Sequence, residues 1–262
     1  MKIKHIKLLK RTIVSLSIVG LLSACSLTTS SYNQSSSEDL FAKALQSPSR
    51  SAVDKAKDEG RKPQQVMQFF GIEKGMTVLE IVSTGGYYTE VISKRVGTKG
   101  RVIAHNNKFI LEIFDGRFAK EFAQHTADNR LPNVEHYIKE FGQFDILEQV
   151  DVATIVLNYH DLYSNLAKEK RMKLLSQIKM ALKPGGIIGI IDMESDSGAH
   201  QPKLHRIYHQ RVLDELAEAG FMFEAKADFL KNNDDDHSKV VFDPAIRGKA
   251  DRFVLKFKKP TV

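Results

Sequence analysis

From residue 63 to residue 257 the chain alternates between two kinds of segment. Residues 63–70, 87–95, 109–127, 167–182 and 204–219 read as helices, and residues 76–82, 101–105, 133–138, 152–157, 187–191, 221–229 and 252–257 read as short strands. The punctuation agrees. Pro63 stands near the first turn of the first helix, and Gly71, Gly97 and Gly220 follow helices as stops. Lys183-Pro184-Gly185-Gly186 ends the 167–182 helix. The runs 152–157 and 187–191 are unbroken apolar stretches, as strands buried on both faces must be. Repeated strand–helix units predict a parallel sheet covered on both faces, with right-handed crossovers.

The beginning of the chain has a different pattern. Lys2, Lys4, Lys7, Lys10 and Arg11 precede an apolar run over 12–24 that ends in Leu22-Ser23-Ala24-Cys25. A basic start, a short apolar stretch and small residues make a secretory signal. The run is too short for the roughly 20 residues of a spanning helix. With Cys25 at its end it resembles a bacterial lipoprotein signal, which implies cleavage before Cys25 and lipid on its sulfur and new amino terminus. Residues 1–24 are then signal peptide, and Ser-rich residues 25–50 a tether reaching about 25–30 Å from the membrane. Residues 51–262 form one domain. Ser26 after the cysteine favours the outer membrane, with the domain facing the periplasm.

Charge changes its meaning in that light. The chain carries 39 Lys and Arg against 32 Asp and Glu, a net +7. Five of the basic residues leave with the signal, so +2 remains and nucleic acid is not an expected partner. Cys25 is the only cysteine, which excludes an internal disulfide and a thiolate metal site.

Three motifs narrow the fold: residues 78–90, reading Val-Leu-Glu-Ile-Val-Ser-Thr-Gly-Gly-Tyr-Tyr-Thr-Glu; Leu182-Lys183-Pro184-Gly185-Gly186 before a strand; and the closing strand pair ending in residues 251–257. With the element order they resemble class I S-adenosylmethionine (SAM) dependent methyltransferases. Arg61-Lys62-Pro63, Asn158-Tyr159-His160-Asp161-Leu162, His205-Arg206-Ile207 and Asp236-His237 resemble, more narrowly, a group of exported predicted methyltransferases. The resemblance implies an α/β, Rossmann-like seven-stranded sheet, mostly parallel with an antiparallel last strand. It implies SAM as cofactor, with Glu80, Ser83, Thr84, Gly85, Gly86, Tyr87, Asn106 and Asn158 around it. A glycine-rich turn lets backbone approach a ligand closely, and the next helix offers free N–H groups. This chain departs from the common pattern: Val82 and Thr84 stand where glycines are usual, and Asn106 where an acid grips the ribose. A SAM site weaker than usual is expected, since charge-assisted hydrogen bonds are about twice as strong as neutral ones.

In such a sheet ligands bind outside the carboxyl ends of the strands. His105, His160, His200, His205, His209 and His237 all fall on that edge, and only His125 and His136 of the histidines beyond Cys25 do not. His160, Asp161, His205 and Arg206 are the expected catalytic residues: His160 as base, Asp161 orienting it, Arg206 for an anionic substrate group. His205 and His209 have a metal-ligand spacing that Asp192, Glu194, His200 or the run 234–237 would complete, but a solvated helix face explains the spacing as well and no metal ligand is assigned. The stretch 231–250 is long enough to hang over the edge as a lid. The favoured reading is a membrane-anchored methyltransferase for a small molecule or envelope component. The alternatives are a non-catalytic ligand-binding domain on the same fold and a metal-assisted enzyme using the His/Asp rim.

Overall fold

The computed structural model describes residues 37–196, 198 and 200–261. The expected signal peptide, Cys25 and the first part of the tether lie outside the described residues. The chain divides into a unit ending at Leu40 and a unit from Phe41 to Val262. Of the first, residues 37–40 are described and are helical. The second carries everything below. It begins ten residues earlier than the sequence suggested, because Phe41 and Leu45 are buried in the core beside Val66 and Val91. Two large apolar side chains one helical turn apart outweigh the polar composition around them. Among the described residues no helix is long and apolar enough to cross a membrane.

Helices α1 (Ala52–Arg61) and α2 (Pro63–Phe70) lead into a regular alternation: β1 (Thr77–Ile81), α3 (Tyr87–Val96), β2 (Arg101–Asn106), α4 (Lys108–Thr126), β3 (Val134–Ile138), β4 (Val150–Val156), α5 (Tyr159–Asn165), α6 (Lys168–Ala181) and β5 (Leu182–Met193). A two-residue ribbon, β6 (His200–Gln201) with β7 (Arg206–Ile207), precedes α7 (His209–Glu218), β8 (Met222–Ala227) and β9 (Arg252–Lys258). The main sheet has seven strands in the order β3-β2-β1-β4-β5-β9-β8. β1 to β5 pair in parallel, while β9 runs antiparallel to both β5 and β8. The expected sheet, with its antiparallel last strand, is the observed one.

Apolar side chains fill both faces. One cluster joins Leu79, Ile103, Ile155, Leu174 and Phe253; the other joins Phe70, Val78, Ile92, Val102 and Val254. Neighbours on β1, such as Val78 and Leu79, enter opposite clusters, as the two-residue period of a strand requires. Gly189 on β5 is a close-approach glycine, since a Cβ there would stand 2.6 Å from the Phe70 ring.

Two predicted helices are revised. The 109–127 helix is broken by non-helical backbone from Ile113 to Gly116. Only Phe122 of α4 is buried, so little packing enforces a straight helix there. The 204–219 helix begins at His209, because residues 202–204 form a 3₁₀ turn and Arg206 and Ile207 pair with the 200–201 strand.

α1 is latched to α4 through charge. His125 Nε2 lies 2.7 Å from Asp54 Oδ2, while Asp54 Oδ1 pairs with Lys57. Glu90 lies 3.9 Å from His125 and binds Arg130 and Lys94. The Asp54 contact raises the His125 pKa, while burial alone would lower it. Burial opposes charge on Asp54, but His125, Lys57 and Ser51 together bring its pKa below the ordinary carboxylate value. The His125 contribution is present below about pH 6.5 and is lost as pH rises through its folded value; that of Asp54 is present above about pH 3.9 and is lost on acidification. His125→Gln should therefore lower the melting temperature more at pH 5.5 than at pH 9. Equal losses at both pH values in thermal unfolding would contradict the latch.

Candidate functional site

Because β1 to β5 are parallel, Ile81, Asn106, Ile138, Val156 and Met193 all end at one edge. A cavity of about 1760 Å³ opens there. Ligand pockets commonly run to about 300–1,000 Å³, so this one has room for two small molecules side by side. α1 and the broken part of α4 wall it. Residues 229–232, 241–242 and 247–249 also line it, so parts of the long 231–250 stretch do stand over the edge. Lys62 Nζ donates to the Phe229 carbonyl at 2.6 Å, tying that stretch to the turn between α1 and α2.

The turn after β1 lines the cavity. Val82 and Thr84 adopt left-handed backbone, with φ of 56° and 50°, and Gly86 has φ 94°. The chain thus keeps a conformation that glycine favours while placing β-branched residues in it, at about 1–3 kcal/mol each. Asn106 holds it there. Its Oδ1 accepts from Thr84 N at 2.9 Å, and its Nδ2 donates to Ser83 Oγ at 2.9 Å and to the Thr84 carbonyl at 3.3 Å. Net contributions of about 0.5–1.5 kcal/mol per hydrogen bond are of the size needed to offset the strain. Asn106 is fully buried, so its geometry supports a buttress for the turn rather than the expected contact with a ribose. Asn158 Nδ2 similarly donates to the Val82 and Val156 carbonyls while the residue lines the cavity. Glu80, Ser83, Thr84 and Tyr87 line it too; Gly85 and Gly86 complete the turn, with Gly86 as the cap of α3.

Glu80 is buried at the end of β1 and accepts from Thr89 Oγ1 at 2.5 Å. Burial pushes its pKa up to about 8, against the effect of Thr89. Tyr87 Oη donates to Asp58 at 2.7 Å and Tyr88 Oη to the Arg61 carbonyl at 3.2 Å, with the Arg61 guanidinium 4.2 Å from the Tyr87 ring centre. Glu140, two residues beyond β3, also lines the cavity and accepts from Lys108 N at 3.2 Å. Sequence reading missed Glu140, because its position beside the end of β2 emerges only from the β2–β3 register.

His160, Asp161 and His205 line the same cavity. His160 is buried in the first turn of α5. Its Nδ1 is 2.7 Å from Asp192 Oδ1, and its backbone N donates to Asp192 Oδ2 at 2.7 Å. Asp192, at the end of β5, therefore orients the ring. The expected orienter, Asp161, is 3.4 Å from the opposite nitrogen, Nε2. Burial works against charge on His160, but Asp192 and Asp161 outweigh it and hold the pKa up at about 10.

The six-histidine rim shrinks to these two, since only His160 and His205 line the cavity. His105 is a core residue among Tyr137, Phe141 and Phe144, and burial brings its pKa down to about 4. His200 packs on Tyr163. His209 pairs with Glu194, and His237 bridges Asp196 and Asp251. His205 and His209 share no helix face, because His205 is left-handed and precedes α7. Arg206 is fully buried. It binds both carboxylate oxygens of Asp235, at 3.0 and 2.9 Å, and the carbonyls of Glu194 and Lys239. It is an anchor for the 231–250 stretch, not a receptor for an anionic substrate.

The family model of protein-L-isoaspartate (D-aspartate) O-methyltransferases matches residues 61–114, which include β1, its turn and β2. A SAM-dependent methyltransferase from Aquifex aeolicus superposes with a TM-score of 0.56, at 23% identity, over 75% of this chain and 89% of that one. The fold is the class I methyltransferase fold. The [4+2]-cyclase SpnF superposes with a TM-score of 0.53, at 15% identity, over 78% of this chain and 81% of that one, so the same fold also carries other chemistry. A ubiquinone/menaquinone biosynthesis C-methyltransferase of Hydrogenovibrio crunogenus is 25% identical over 168 residues, which is 64% of this chain and about three-fifths, 61%, of that relative.

Proposed function

We propose that this protein is a SAM-dependent methyltransferase for a small molecule whose acceptor atom lies beside His160. The observation that carries the reading is one cavity lined both by the acid-tipped β1 with its left-handed turn and by His160. The residues present fit the cofactor. Glu80 lines the cavity as a buried acid suited to an ammonium group. The 82–86 turn holds the required backbone despite Val82 and Thr84, and the α3 N-terminus suits a carboxylate. Glu140 supplies the acid that the end of β2 lacks, within reach of the same wall as Asn107. SAM supplies a methyl group on a sulfonium; positioning the acceptor is then the chief task of the chain.

Asp192 fixes the Nδ1 side of His160 and leaves Nε2 toward the cavity. An imidazole with its pKa near 10 carries charge at neutral pH, so in the absence of a bound ion His160 is not the base expected from the sequence and instead favours an acceptor oxygen in its anionic form. Phe109, Ile113, Phe114 and Phe118 on broken α4 line the mouth, and Phe109 and Phe114 are exposed there. They suit an acceptor with an apolar body. The names of the quinone-biosynthesis and isoaspartate relatives support a carbon or oxygen acceptor in general terms.

The cofactor end makes a pH-dependent forecast. With its pKa near 8, Glu80 must lose a proton to hold an ammonium group. Affinity for S-adenosylhomocysteine should rise about twentyfold between pH 6.5 and 8.5, and Glu80→Gln should flatten and weaken it. Calorimetry showing the same affinity at both pH values in the wild type would remove Glu80 from this role. The basic-apolar run ending at Cys25 supports a lipid anchor in the cell envelope. Labelled palmitate should enter the wild type but not Cys25→Ala; incorporation into neither would exclude the anchor.

A further inference from the structure

His160, Asp161 and His205 bring three ligand atoms to within 4.8 Å of one another. His160 Nε2 is 3.2 Å from His205 Nδ1 and 3.4 Å from Asp161 Oδ2, and His205 Nδ1 is 3.5 Å from Asp161 Oδ1. Atoms bound about 2.1 Å from a common metal stand about 3.0 Å apart at octahedral angles and about 3.4 Å apart at the tetrahedral angle. The observed separations lie at the upper end of that range, so the triad needs little adjustment to close on an ion. We propose that these three residues form a site for one divalent first-row transition metal.

The surroundings fit a metal ligand set better than an ordinary ion-pair cluster. Asp192 is fully buried and bound to the far nitrogen of His160 at 2.7 Å. A carboxylate behind a histidine is the usual device for fixing the tautomer and orientation of a metal ligand. His205 sits at a left-handed φ of 56°, a conformation uncommon outside glycine, and its ring is wedged between His160 and Phe242. Both features aim nitrogen atoms at one point. Among the described residues Asp161 has no Lys or Arg ion-pair partner. The other cluster of this kind, Asp54, Glu90 and His125, is already neutralised by Lys57, Lys94 and Arg130. The two such clusters among the described residues thus differ in whether cations of the protein have filled them.

Two imidazoles and one carboxylate suit zinc, iron, manganese or cobalt rather than calcium or magnesium. Three protein ligands leave at least one coordination position, and it faces the cavity because all three residues line it. Binding the ion displaces the Nε2 proton of His160 to solvent and leaves Nδ1–H on Asp192. The site stands on these donors alone. Its use, taking up an anionic oxygen of the methyl acceptor, rests on the methyltransferase reading.

The test uses the full chain, stripped with chelator and titrated with cobalt(II) under visible absorption and with zinc in calorimetry. One equivalent should bind, and His205→Ala should weaken it at least a hundredfold. His209→Ala, four residues away and outside the triad, should bind as the wild type does. Asp192→Asn should weaken binding about 10–100-fold, with its melting curve confirming a folded chain. His5 and Cys25 are present in every variant, so the difference between variants isolates the site. Substoichiometric uptake, or equal affinity in His205→Ala, would overturn the proposal. S-adenosylhomocysteine titrated in parallel separates the two readings: binding without metal uptake overturns the metal site alone, and metal uptake without it supports the site while sinking the methyltransferase reading.

Discussion

The site depends on a strained turn. Val82 and Thr84 occupy left-handed backbone that β-branched residues resist. Asn106, from the neighbouring strand, spends its amide on holding them there. Without that clamp the path from β1 into α3 has easier conformations, and the acid at Glu80 and the start of α3 no longer share one cavity wall. The turn also carries the departures from the family pattern into one explanation. Where an acid is usual at the end of β2, this chain has the residue that supports a turn made without its usual glycines.

Buried and half-exposed charges divide the work at the edge. The Arg206–Asp235 pair is sealed and fully hydrogen-bonded, and Asp235 also accepts from Asp251 N. Removing one partner of such a pair strands a charge and costs about 3–5 kcal/mol, so its place is structural. It pins the stretch that roofs the cavity. Asp161 and His205, by contrast, keep 48% and 34% of their side chains exposed, on the cavity side of buried His160. Solvent access and incomplete pairing leave these groups free to meet a ligand.

The sheet and its closing strands were legible because the apolar runs at 152–157 and 187–191 and the glycine stops are local signals. The broken α4 was not: its interruption at Ile113–Gly116 reflects missing burial, which periodicity does not report. Of the six histidines assigned to the edge, His160 and His205 line the cavity and the other four do not. His105 lies one residue before the end of β2, and its ring turns into the aromatic core. The sequence offers Asp192 as one residue that would complete a metal set with His205 and His209, and not as the partner of His160, which is 32 positions away. Arg206 looked like a substrate residue since sequence shows its charge and not the Asp235 that neutralises it. Such long-range pairing is what the sequence lacks and the fold provides.

On the proposed reading, the Asn106-clamped turn binds SAM. Titration of SAM into the full chain and into Asn106→Ala, with melting curves to confirm that both are folded, is the decisive measurement. Saturable one-to-one binding by the wild type, weakened at least tenfold in the variant, is expected. Absence of binding by the wild type at millimolar SAM, or equal affinity in the two proteins, would contradict that reading.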